Sequence, residues 1–258
     1  VVFDEPDWLV AAKSAFAFVR VQMANGDRLH HSWCAGQAAH PGVLEDYANM
    51  ARAALALHEV SGDEDYLTQA QDWMRVADDH HWDVANGGYF MSADDTADIL
   101  VRPKPIHDNA TPPGNGVIAE VLARLHHLTG DAGYRERFDA LVAALVPPET
   151  DKTIYQLSLL MGFETMERAV QIVIIGETDS EDDLPASLTR ASLRAAPSIR
   201  HLIRLPEGVE LPDTHPAHGK VAVDGKPTAY VCVGTTCTLP LTNAEDLKDH
   251  LRKLSSSP

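Results

Sequence analysis

Long apolar runs and basic charge are what this 258-residue chain most lacks. No stretch approaches the roughly 18 consecutive apolar residues that a membrane span needs. The opening Val1-Val2-Phe3-Asp4-Glu5 has neither the basic nor the apolar region of a signal peptide, so a cytoplasmic location is expected. Lysine and arginine number 21 against 38 acidic residues, a formal charge of -17. Such a field repels phosphate backbones and anionic surfaces, which argues against nucleic acid and membrane partners. Cysteine is scarce too. Cys34, Cys232 and Cys237 are too few and too odd in number for a secreted scaffold stapled by disulfides, so reduced thiols are the default expectation. The HExxH and Cys/His spacings of zinc sites are absent, and so is GxSxG. The run "IVIIGETDSEDD" offers one glycine after its strand, too little for a phosphate cradle. No metal and no cofactor are therefore expected. Nor does the chain begin with methionine; it opens close to a helix and reads as a piece of something longer.

What is present is a composition fit for a packed core, 45% hydrophobic with 23% charged residues. From Pro6 onward, Trp8, Leu9, Ala12, Ala15, Phe16 and Val19 recur at three and four, the spacing of an amphipathic helix that stops at Asn25-Gly26. After a polar strip to Pro41, helices are predicted at about 43–60, 64–80, 114–128, 132–145 and 153–168. A short extended piece follows the Asn86-Gly87-Gly88 turn.

An internal repeat organises these helices. "LHEVSGDEDY" (57–66) and "LHHLTGDAGY" (125–134) share Leu, His, Gly, Asp and Tyr at an offset of 68 residues. Gly62 and Gly130 can take the left-handed conformation that ends a helix, and Asp63 and Asp131 can cap the next. Each unit is then a helical hairpin, and hairpins with broad apolar faces stack into a solenoid or a closed ring. Connections at 25–42 and 83–112 collect at one end, where loops build sites.

After Arg168 the pattern changes. "AVQIVIIG" is a continuous, β-branched apolar run and reads as a buried strand. A helix candidate at 182–195, strand candidates "SIRHLIRL" and "TAYVCV", and a helix near 244–254 complete a small α/β appendage, with "SSSP" read as a frayed tail. The expected division is 1–168 for the hairpins and 169–258 for the appendage.

Several segments together resemble one family. "GVLEDYANM", "SGDEDY" with "TGDAGY", "HWDVANGGYF", "VRPKPIHDNATPPGNGV" and "DGKPTAYVCVGTTC" are similar, in order, to the C-terminal portion of thioredoxin-domain-containing proteins related to spermatogenesis-associated protein 20. That resemblance implies a mainly α fold, an α/α toroid of the six-hairpin glycosidase-like type related to N-acylglucosamine 2-epimerases, normally preceded by a thioredoxin-like domain. No thioredoxin-like segment occurs in this chain, and the predicted helices make only about half of such a ring.

The candidate chemistry sits in the connections. Glu45 and Asp46 open the second helix. They either complement its dipole or supply a general acid or base for a sugar, with Asp108 as the second carboxylate. In "VRPKPIHDNATPPGNGV", Arg102 and Lys104 are cations, His107 titrates near neutrality and would be the base of an epimerase-like transfer, and Asn109 and Asn115 suit hydroxyls. The same residues can equally brace a turn. Trp33, Trp82 and Tyr89 are either core or a stacking platform for a sugar ring. Adjacent histidines (His30 with His31, His80 with His81) diverge and make no metal site unaided. Cys232 and Cys237 are half-buried thiols, a turn disulfide, or a redox couple; Cys34 lacks an activating base. The expected function is therefore carbohydrate-active or sugar-binding, epimerase- or glycosidase-like, with a sugar as ligand. The alternative is a non-catalytic module that accompanies a thioredoxin-like domain.

Overall fold

In the computed structural model, residues 5–146, 155–177, 187–195, 200–234 and 236–255 are described. Helix α1 (Pro6–Gln22) leads into an antiparallel sheet of β1 (Ala24–Asn25), β2 (Arg28–Cys34) and β3 (Gln37–Pro41). The segment read as a polar strip is thus a small sheet. Its turn works because Ala35 and Gly36 both take positive φ, 52° and 82°, the handedness that matches strand twist. Only Leu29 of β2 is buried, so an apolar alternation never marked it.

Two hairpins follow, α2 (Leu44–Ser61) with α3 (Glu64–His80), and α4 (Gly114–Thr129) with α5 (Ala132–Leu145), and then α6 (Leu157–Arg168). The start expected for α6 at residue 153 lies outside the described residues. Helices α2, α4 and α6 pack side by side, with α3 against α2 and α5 against α4. This is the mainly α, two-layer order of an α/α toroid over part of its circumference. Helix α4 is its centre, with eleven buried residues.

The repeat extends to individual atoms. Gly62 and Gly130 end their helices at φ 67° and 72°. His58 and His126 each place Nδ1 beside the backbone oxygen of Asp63 and Asp131, at 3.1 and 3.0 Å. Both aspartates accept from the backbone N–H two residues on, at 3.0 and 2.8 Å, so the caps fall where the sequence puts them.

The rest is a second sheet in the order β5-β4-β6-β7: β4 (Val170–Ile175), β5 (Arg200–Leu205), β6 (Thr228–Val233) and β7 (Thr236–Cys237). β4 runs parallel to β5 and antiparallel to β6. Val173, Ile175 and Ile203 join the hairpin core, whereas Ile172, Ile174 and Leu202 pack with α7 (Ser187–Ala195) and α8 (Ala244–Ser255). β4 is therefore covered on both faces, which is why it reads as an unbroken apolar run. The expected residues 182–186, 198–199 and 256–258 lie outside the described set. No described helix is long and apolar enough to cross a membrane.

Candidate functional site

The N-terminal ends of α2, α4 and α6 meet. Pro112 and Pro113 bring the chain stiffly into α4, whose first glycines allow close approach. A Cβ on Gly114 would lie 2.8 Å from the Leu44 side chain, and one on Gly116 would overlap the Ser158 hydroxyl. Two carboxylates tie the junction together. Glu45 Oε1 accepts from the Gly114 N–H at 3.3 Å, and Asp108 Oδ2 accepts from the Ser158 N–H at 2.9 Å. Both sit where helix dipoles favour negative charge. Asp108 is fixed from the other side as well, its own N–H donating to Tyr155 O at 2.8 Å. These bonds leave Glu45 Oε2, Asp108 Oδ1 and Ser158 Oγ buried without a hydrogen-bond partner among the described residues.

The remaining sequence candidates disperse, mostly into bracing. Asp46 caps its own helix, accepting from the Val43 N–H at 2.8 Å with His31 Nδ1 at 2.9 Å. Arg102 donates to Ser92 O (2.9 Å) and His80 O (2.8 Å) and lies 4.3 Å over the Phe90 ring. Lys104 donates to Asp83 (2.5 Å) and Gly87 O (2.6 Å). That ammonium holds the Asp83 carboxyl well below the usual carboxylate range. The Asn115 amide, 1% exposed, is consumed by backbone groups of Tyr89 and Pro105.

The aromatics are packing residues. Tyr89 is fully buried and donates to Asp78 at 2.6 Å; Trp82 meets it edge-on at 4.9 Å and carries the Arg137 guanidinium at 4.2 Å. Trp33 stands edge-on to Phe18 at 5.3 Å, away from the helix-end junction in the small sheet. His107 and Asn109 stay exposed, His107 with its ring 6.3 Å from that of Tyr155.

The cysteine expectation is corrected: Cys232 and Cys237 are joined as a disulfide across β6 and β7, because their strand register places them directly opposite. Cys34 is free and exposed. Among the described residues one group, His80 with Asp94 and Asp95, has ligand atoms close enough for an ion. Arg28 already holds both oxygens of Asp95, at 2.7 and 2.9 Å, and a bound guanidinium competes with any cation there.

One set of charged residues was invisible in the sequence patterns. On α2 and α4, Arg52 faces Glu120 at 3.7 Å, and Arg124 faces both Glu59 and Glu120 at 3.7 Å. Beside them the His127 and His201 rings stack at 4.7 Å, and burial keeps both rings neutral. Charged residues on helix faces read as solvated surface. The available signal was that Arg52 and Glu120, opposite in sign, stand at the same position of the 68-residue repeat.

Fold and junction together define a protein of stacked helical hairpins with an α/β unit on the same core and a polar, partly unsatisfied end where three helices begin. No family model matches the chain. It is 30% identical over 225 residues to spermatogenesis-associated protein 20 of Rattus norvegicus and 30% identical over 220 residues to that of Homo sapiens, covering 82% and 80% of the chain. An uncharacterized Caenorhabditis elegans protein is 23% identical over 210 residues. The resemblance carried by the motifs is thus borne out: the chain is a relative of the spermatogenesis-associated protein 20 family, and it spans 27% of the length of the rat and human proteins. Among solved structures, cellobiose 2-epimerase of Spirochaeta thermophila is similar over 54% of this chain and 37% of that one, at 26% identity and a TM-score of 0.43.

Proposed function

We propose that the junction of α2, α4 and α6 binds a sugar or related polyol. The observation that carries this reading is the set of three buried polar atoms at the junction without a partner among the described residues, Glu45 Oε2, Asp108 Oδ1 and Ser158 Oγ. A buried polar oxygen without a partner costs free energy, and sugar hydroxyls both donate and accept hydrogen bonds. Glu45 and Asp108 are the acid and base candidates. His107, exposed on the same loop, is the base of an epimerase-like variant of the chemistry. Arg102, Lys104 and Asn115 are spent on the backbone and on Asp83, and so hold the loop rather than the ligand.

The test is a panel of mono- and disaccharides read by melting temperature and calorimetry, on the wild type, Glu45→Gln and Asp108→Asn. At least one sugar class should raise the melting temperature of the wild type, and both variants should weaken that response. A flat panel, or equal binding by all three proteins, sinks the reading. Proton NMR of the bound sugar separates binding alone from epimerisation or hydrolysis.

A second reading rests on the disulfide. Cys237 is exposed on a two-residue edge strand while Cys232 is buried, so one sulfur is open to attack by a partner thiolate. The protein would then serve as a module for a thioredoxin-like domain. Equilibration in dithiothreitol buffers of graded redox ratio tests it; a bond that stays intact in excess reductant removes the reading.

A further inference from the structure

A cavity of about 230 Å³ lies between α2, α4, α6 and the start of β5, with Ala56, Glu59, Glu120, Arg124, Arg200 and His201 among the residues lining it. Arg124 sets its character. Its side chain is 12% exposed, and its contacts with Glu59 and Glu120, at 3.7 Å, are longer than hydrogen bonds. A guanidinium presents five donors, and none of those on Arg124 has a hydrogen bond among the described residues. Largely removed from water and loosely paired, it is costly unless an acceptor joins it.

Arg200 repeats the pattern from the strand. Its Nε is buried and unpartnered among the described residues. His201 adds a third group: the residue is 2% exposed, and its Nε2 is buried without a partner. Burial, then the neighbouring His127, Arg124 and Arg200, hold that ring neutral. A neutral imidazole still offers one N–H donor without adding charge. In the cavity lining Arg124 and Arg200 stand against Glu59 and Glu120, and Arg52 reaches Glu120 from α2, so cations balance carboxylates there on a chain whose formal charge is -17.

We propose that this cavity binds a small oxyanion, of the size of phosphate or a short carboxylate, with Arg124 and Arg200 as its cationic contacts and His201 as a neutral donor. The site is separate from the sugar junction: Glu59 lies about 21 Å along α2 from Glu45 at the usual helical rise. Either proposal can therefore fail without the other.

The experiment is calorimetric titration at constant ionic strength with sodium phosphate, sodium malonate and sodium chloride, on the wild type, Arg124→Gln, Arg200→Gln and Ala56→Leu. Saturable binding of phosphate or malonate to the wild type is expected, weakened about tenfold or more by loss of a charged donor. Arg124→Gln also unpairs two glutamates and can disturb folding. Arg200→Gln removes no ion pair seen among the described residues, and Ala56→Leu fills the cavity from an exposed position, so these two keep the test decisive. The stronger anion of the pair identifies the ligand class. A response that chloride reproduces, no saturation with either anion, or equal affinity in Arg200→Gln, Ala56→Leu and the wild type overturns the proposal.

Discussion

Asn115 pairs with Tyr89 as a neighbouring strand would, its Oδ1 accepting from the Tyr89 N–H and its Nδ2 donating to Tyr89 O, each at 2.9 Å. A further bond runs from Nδ2 to Pro105 O at 3.0 Å. One side chain in the first turn of α4 thus ties together two distant parts of the α3–α4 connection. Asn115→Ala strands three backbone groups and should cost about 3 kcal/mol in urea unfolding, at roughly 1 kcal/mol per bond. A loss under about 1 kcal/mol, the value of a single bond, would show that water replaces the amide.

Gly162 lies inside α6, where alanine ordinarily stabilises by about 1 kcal/mol. Here the sign should reverse. The new Cβ would stand 2.7 Å from Ala119 Cβ and 2.9 Å from Glu120 N, and neither neighbour is a flexible side-chain end. Gly162→Ala should lower stability by about 2 kcal/mol through overpacking, measured as a fall in melting temperature. An unchanged or raised melting point would mean that α4 and α6 can separate without loss.

Stability should fall on mild acidification. His81 is fully buried, donates from Nδ1 to Phe90 O at 3.0 Å and has no partner for Nε2 among the described residues. Burial pushes its pKa down to about 4, below the unfolded value of about 6.5. The unfolded chain therefore takes up the proton first. The histidine's contribution is complete above about pH 6.5 and is lost as pH falls toward about 4, amounting to about 3 kcal/mol. His127, His201 and His215 are shifted in the same direction and add to the slope. Urea unfolding at pH 7.5 and pH 5 measures it, and His81→Gln should flatten it; an identical slope in that variant would remove His81 as a source.

The disulfide predicts a thiol count. Unfolded without reductant, the chain should show one reactive thiol, Cys34, and three after reduction. The double variant Cys232→Ser with Cys237→Ser should lose about 2 kcal/mol, the closure entropy of so short a loop. Three thiols before reduction would exclude the bond.

The helical architecture was legible because its signals are local. Gly62-Asp63 and Gly130-Asp131 announce their corners by backbone chemistry alone, and the structure bears both out. The β2–β3 hairpin was not, since residues 28–34 bury a single apolar side chain and offer no period to detect. The site was half legible. A stiff polar loop announces that many of its groups will be fixed, but Lys104 and Asn115 find their partners ten or more residues away, and no local pattern encodes that. The charged residues around Arg124 went unseen for a similar reason: their meaning depends on which helix lies opposite.

The two Ser/Thr-Gly-Asp corners match bond for bond, which makes the angle between the two helices of each hairpin a property of the joint rather than of the helices. The opening of each hairpin is then set at Gly62 and Gly130, much as a hinge sets the angle between its two leaves. A β-branched residue at either glycine would disturb φ where it must stay positive. Its first effect should be on the angle between the two helices that the glycine joins, while the helix content stays as it is.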